Sequence, residues 1–127
     1  MSAFRPGYLF TAIITLAAAT TIAHAAGPPT RIGGCTKTNV KRITTRLVDT
    51  PGSGSAVYLT NGGFQVSYDT VPSVDGSRPG DPVRMCLVWM PKDCPPGDDR
   101  GKVYKTTNLR TNRSWELPDS HHQCGGA

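Results

Sequence analysis

Five cations crowd one stretch of this chain. Arg100, Lys102, Lys105, Arg110 and Arg113 fall between Arg100 and Ser114 with no Asp or Glu among them, and Tyr104 and Trp115 punctuate the run. Lys and Arg hold carboxylates and other oxyanions through charge-assisted hydrogen bonds, and aromatic rings add flat contact area. A stripe of this kind suits an acidic protein or an anionic glycan. It would also suit nucleic acid, but the export signal described below takes the chain where nucleic acid is seldom met, so none is expected as a partner. The plain alternative is a solvated outer face with Trp115 turned into the core.

Other chemistry is thinly represented. His121 and His122 are adjacent and sit beside Cys124. Two neighbouring imidazoles can serve as a base or hold a soft metal weakly, and with an Asp they are the only basis for reading the chain as a small hydrolase or metal-dependent enzyme. Asp98 and Asp99 adjoin each other in a Pro/Gly loop, where such residues commonly stabilise turns. Glu116 is the only Glu. There is no G-x-S-x-G elbow, no H-E-x-x-H, no phosphate-binding loop and no dinucleotide fingerprint. No catalytic residue, cofactor or metal is assigned. Asn112-Arg113-Ser114 matches the glycosylation sequon, which matters only in a eukaryotic secretory pathway.

The compartment follows from the first residues. Arg5 gives a positive start, residues 8–23 carry no charge and are rich in Leu, Ile and Ala, and Ala23-His24-Ala25 offers small residues to a signal peptidase. Residues 1–25 read as a cleaved secretory signal, too short and too polar for a membrane span, so no stable membrane insertion is expected afterwards. Lipid on Cys35 is disfavoured, because Gly27-Pro28-Pro29-Thr30-Arg31 separates it from the apolar segment. The protein is expected to be periplasmic or secreted. Cleavage leaves 13 Lys and Arg against 9 Asp and Glu, a formal +4.

A domain near a hundred residues buries too little surface to be comfortable alone. Cys35, Cys86, Cys94 and Cys124 are read as two disulfides. Three pairings are open. Cys86–Cys94 with Cys35–Cys124 is favoured, one bridge stapling a hairpin and the other closing the chain, with stabilisations of about 2.6 and 4.6 kcal/mol in the chain-entropy picture. Structural zinc is disfavoured, since no C-x-x-C spacing exists.

The elements that must carry these residues are short strands. Lys41 to Asp49 alternates, with Ile43, Thr45 and Leu47 on one side. Residues 56–60 and 63–68 flank Asn61-Gly62 and read as a hairpin on a two-residue turn, which sets Leu59 against Phe64 and Val57 against Val66. Residues 71–82 are a loop rich in Pro and Gly. Val83 to Met90 is apolar on both faces and is expected to sit centrally, covered on both sides. Residues 102–106 and 112–117 are further strands, and 118–127 an irregular tail. No sustained helical period appears. The fold expected is all-β: a small antiparallel sandwich or barrel of five to six short strands, with little or no helix. The divisions are the signal at 1–25, a flexible Pro/Gly leader at 26–34, one β domain at 35–124 and a tail at 125–127.

Asn61-Gly62-Gly63, Gly80-Asp81-Pro82-Val83, Cys94-Pro95-Pro96-Gly97-Asp98 and Cys124-Gly125-Gly126 together give a chain that resembles small secreted bacterial proteins of unknown function. The resemblance covers most residues after Cys35 and implies no activity, cofactor or site. In build alone, the strand-rich, disulfide-clasped chain is similar to periplasmic lysozyme inhibitors, with no inhibitor motif matched. The function expected is a non-enzymatic binding module of the envelope or extracellular space, recognising an acidic protein or anionic glycan through Arg100, Lys102, Tyr104, Lys105, Arg110, Arg113 and Trp115. The alternatives are the small hydrolase and a structural or stress-related envelope protein with no defined ligand.

Overall fold

In a computed structural model, which describes residues 2–4, 6–21 and 26–126, alternation along each strand decides what turns inward. The strands are β1 (Cys35–Thr45), β2 (Ser55–Leu59), β3 (Phe64–Ser67), β4 (Pro82–Trp89), β5 (Val103–Asn108) and β6 (Ser114–Pro118), with a one-turn helix α1 (Pro72–Asp75) between β3 and β4. They form one antiparallel sheet in the order β3-β2-β1-β4-β5-β6, curled until β3 lies against β6. Every second residue points inside. Val40, Val57, Leu59, Val83, Met85, Leu87, Tyr104 and Trp115 form the core, with Val74 of α1 closing it. The all-β fold, the antiparallel strands, the two disulfides and the near absence of helix are as the sequence implies.

β1 is the shared element. Its first half pairs with β4, from Cys35 opposite Cys86 to Asn39 opposite Pro82. Its second half pairs with β2, from Val40 opposite Leu59 to Thr45 opposite Ser55, interrupted by a bulge at Lys41. A bulge adds local twist, which lets one strand serve both halves of a curled sheet. The strand begins at Cys35, earlier than expected, and ends at Thr45. Leu47 and Val48 then lie exposed in the following turn.

The hairpin of β2 and β3 exists, but its register differs from the expected one. Tyr58 lies opposite Phe64 and Val57 opposite Gln65. The connection is a three-residue loop, Thr60-Asn61-Gly62, in which Gly62 N–H donates to Leu59 O (3.1 Å) and Leu59 N–H to Gly63 O (2.8 Å). Gly62 takes φ 88°, the left-handed conformation that completes a type I turn with a bulge. Gln65 therefore lands on the inner face.

Both expected cystines are corrected. The bridges are Cys35–Cys86 and Cys94–Cys124. Cys86 cannot turn back to Cys94, because Leu87 and Trp89 continue the ladder with β5 and carry the chain away. Cys35 instead meets Cys86 directly across the β1–β4 pair. Cys94 is tied to Cys124 beside the Asp98 loop, where Cys124 N–H donates to Arg100 O.

β4 is central in order, but it is covered on one face only. Val83, Met85 and Leu87 are buried, Arg84 points out, and a bulge between Leu87 and Trp89 leaves Trp89 and Met90 partly exposed.

Residues 28–34 fold back onto the sheet. Gly33 N–H donates to Leu87 O, Leu87 N–H to Gly34 O, and the Tyr104 hydroxyl to Pro29 O (2.9 Å). Residues 6–21 have no regular secondary structure, and Leu9 and Phe10 there touch nothing in the domain. The expected signal-peptide cleavage motif, Ala23-His24-Ala25, lies outside the described residues.

Candidate functional site: a basic face on β1, β4 and β5

Folding breaks up the stripe between Arg100 and Ser114. Arg100 and Lys102 precede β5, and Arg110 and Arg113 follow it. The six-residue strand between holds the two groups about 17–20 Å apart. Arg100 pairs with Asp98 through Nε and Oδ1 at 2.9 Å, and holds the Asp98 carboxyl well below the usual range together with Gly125 N–H. Lys102 Nζ lies 3.1 Å from both Asp99 and Asp119. Burial opposes its charge, but the two carboxylates outweigh it and raise its pKa. Arg110 forms a fork with Asp81, Nε to Oδ1 at 2.6 Å and Nη2 to Oδ2 at 2.9 Å. Tyr104 and Trp115 are core residues, 2% and 4% exposed. Lys105 and Arg113 stay exposed and make no ion pair.

Strand register assembles a different set of cations. Outward residues of the first half of β1 and of β4, β5 and β6 form rows across the sheet. One row runs Lys37, Arg84, Thr107, Ser114. The next runs Cys35, Cys86, Lys105, Glu116. Lys37 and Arg84 are direct cross-strand partners, and Lys105 sits opposite Cys86, one row away. Cross-strand partners have Cβ atoms about 4.5–5.5 Å apart. Among the described residues, none of Lys37, Arg84 and Lys105 has a carboxylate within ion-pair distance, and Glu116, opposite Lys105, is the one acid in these rows. The Thr107 and Ser114 hydroxyls bond each other at 2.8 Å, leaving a flat, polar floor.

The basic character continues along β1. Lys41 and Arg42 are exposed past the bulge, and with Tyr58 they line a surface hollow of about 470 Å³. The Arg42 guanidinium lies 4.3 Å from the Tyr58 ring centroid, and Tyr58 is 4.8 Å from Phe64. Arg46 stacks on Tyr68 at 4.2 Å and donates from Nε to Ser53 O at 2.7 Å, so it is already held.

A second hollow, about 290 Å³, opens at one end of the curled sheet. Lys102, Asp99, Asp119 and Tyr104 line it, but its charged groups are spent on each other, and Asp119 Oδ1 also accepts from Gly101 N–H. His121 packs beside Phe64, with ring centroids 5.9 Å apart, and His122 is exposed. Among the described residues, no group of three His, Cys, Asp or Glu side chains is placed to hold a metal. No helix there is long and apolar enough to cross a membrane.

No known protein family, curated protein or solved structure matches the chain. The site thus rests on its own geometry. One signal for it was present in the sequence. Residues 31–48 hold Arg31, Lys37, Lys41, Arg42 and Arg46 with no acid, a run as one-signed as the stretch after Arg100. Lys105 was marked by the run after Arg100, but Arg84 had no such signal, and only the pairing of β4 with its neighbours brings both beside Lys37.

Proposed function

We propose that the protein is an exported, non-enzymatic binding module of the cell envelope or extracellular space, and that it grips an acidic protein or anionic glycan on the outer face of β1, β4 and β5. The observation that carries this reading is the Lys37–Arg84 pair. Like charges directly opposite each other on a sheet destabilise it by a few tenths to about 1 kcal/mol. Here neither member is in an ion pair among the described residues, and the one acid nearby, Glu116, lies in the next row opposite Lys105. A bound polyanion would turn that repulsion into attraction. Two disulfides are in keeping with an oxidising location.

Titration calorimetry with polyglutamate and a polyuronate, at low and high salt, tests the proposal. Binding is expected to weaken as salt rises and to be lost when Lys37, Arg84 and Lys105 are all reversed to Glu. Reversing Arg113, which lies off this face, is expected to change little. Affinity that survives the triple reversal, or no affinity for either polymer, overturns it.

A further inference from the structure

The two cystines stand in different electrostatic surroundings. Cys94–Cys124 adjoins the loop of Asp98 and Asp99, whose carboxylates are matched by Arg100 and Lys102, with Asp98 Oδ2 also accepting from Gly125 N–H next to Cys124. Cys35–Cys86 lies on the outer face, with Lys105 opposite Cys86 and the Lys37–Arg84 pair two residues along the same strands; three cations there stand against one acid, Glu116, which is opposite Lys105 on β6. Cys35 is exposed. Over Cys35 to Asn39, β1 has a strand neighbour only on the β4 side. Beside Cys35 a cleft of about 270 Å³ opens, lined among others by Thr30, Arg31, Gly34 and Thr36.

We infer that Cys35–Cys86 is a thiol–disulfide exchange site that favours small anionic thiols, with the cleft at Arg31 as their docking place. A thiolate attacks Cys35 Sγ. A new S–S bond forms to the incoming sulfur as the Cys35–Cys86 bond breaks, and Cys86 leaves with the electron pair. Lys105 faces that leaving thiolate, and a cation beside a thiolate lowers its pKa and speeds its departure. A second thiolate then attacks the incoming sulfur of the mixed disulfide and expels Cys35. Two thiols are oxidised to one disulfide, and their two protons end on Cys35 and Cys86. Arg31 attracts the carboxylate of an acidic thiol, and Lys37 and Arg84 add to the field. The inference does not depend on the polyanion reading, because it concerns a covalent step with its own readout.

The test treats the oxidised, folded protein with limiting mercaptoacetate, 2-mercaptoethanol or cysteamine, quenches with iodoacetamide, and maps modified cysteines by mass spectrometry. The expected result is adduct on Cys35 and alkylation of Cys86 while Cys94–Cys124 stays closed. After correction for each thiol's own acidity, the anionic probe should react roughly tenfold or more faster than the cationic one at low salt, a preference that high salt erases. Arg31→Glu should remove the preference, and Lys105→Glu should slow all three probes, with circular dichroism confirming that both variants fold. If Cys94–Cys124 opens first, if the probes react alike, or if the variants react as the parent does, the inference fails.

Discussion

The side-chain amide of Gln65 and the indole of Trp115 meet where β3 reaches β6: Trp115 Nε1 donates to Gln65 Oε1 at 3.0 Å. The same oxygen accepts from the Thr106 hydroxyl at 2.6 Å, and Gln65 Nε2 donates to Tyr104 O at 2.7 Å and Leu117 O at 3.0 Å. All four hydrogen-bonding positions of the amide are filled, and the residue is fully buried. β3 and β6 share no backbone ladder, so one side chain closes the curl.

Gln65→Leu keeps the volume and removes four bonds. It strands the Trp115 and Thr106 donors in the interior, each at about 1–3 kcal/mol. A loss of about 3–5 kcal/mol is expected in urea unfolding, a large share of a small domain's stability. Gln65→Glu is the sharper variant. Its carboxylate would face the Tyr104 and Leu117 carbonyls, so its folded pKa must lie above its unfolded value. Its stability should fall as pH rises from about 4 through the raised folded pKa and then level off, opposite to the usual acid trend.

Asp81 shows the usual trend. It is buried, and the Arg110 fork pulls its carboxyl well below the ordinary range, against the opposing effect of burial and with help from Asn108 and Arg78 N–H. A depressed folded pKa contributes stability above the unfolded value, and that contribution fades as pH drops through about 4 toward 2. Asp81→Asn is expected to lower the midpoint at pH 7 and flatten the acid limb between pH 5 and 2, read by thermal melts across that range. An unchanged acid limb would show that Asp81 titrates alike in both states.

The two bridges should matter almost equally. Their sequence separations, 51 and 30 residues, give chain-entropy terms of about 4.1 and 3.6 kcal/mol. The expected hairpin-and-closure pairing would have separated them by about 2 kcal/mol. Denaturation of the two Cys-to-Ser pair variants, Cys35/Cys86 and Cys94/Cys124, measures the difference directly.

Two glycines with positive φ should respond unequally to Ala. A Cβ on Gly62 meets open space, so only the backbone conformation resists, at about 1 kcal/mol. A Cβ on Gly54 would collide with Ser67 O and with the Tyr68 backbone, which cannot yield without parting β2 from β3. Gly54→Ala should lose several times more stability than Gly62→Ala in the same unfolding assay.

How much of this was legible beforehand turns on particular residues. Val83 to Met90 is apolar on both faces, which marked a central strand; its place in the sheet order is as expected, but only the face of Val83, Met85 and Leu87 is covered. Gln65 did not announce itself, because apolar patterning treats an amide as solvent-facing, and that assumption moved the hairpin register by one. The first half of β1 was hidden for a related reason. Thr36 and Thr38 line its inner side, Thr38 bonding Thr60 and Asn61, so no apolar alternation marks it. With that half unseen, Cys35 had no strand to bring it to Cys86. The candidate site suffered most, since Lys37, Arg84 and Lys105 lie on three different strands.

β1 is the first strand of this sheet in chain order, and it joins the two halves by pairing with both β2 and β4. Its second half can find β2 within a few residues of synthesis, but its first half must wait for β4, and the curl cannot shut until β6 exists. A polypeptide emerging from its N-terminus is thus barred from finishing early, and long-range pairing of this kind folds slowly. Such a molecule stays threadable for as long as β5 and β6 are missing.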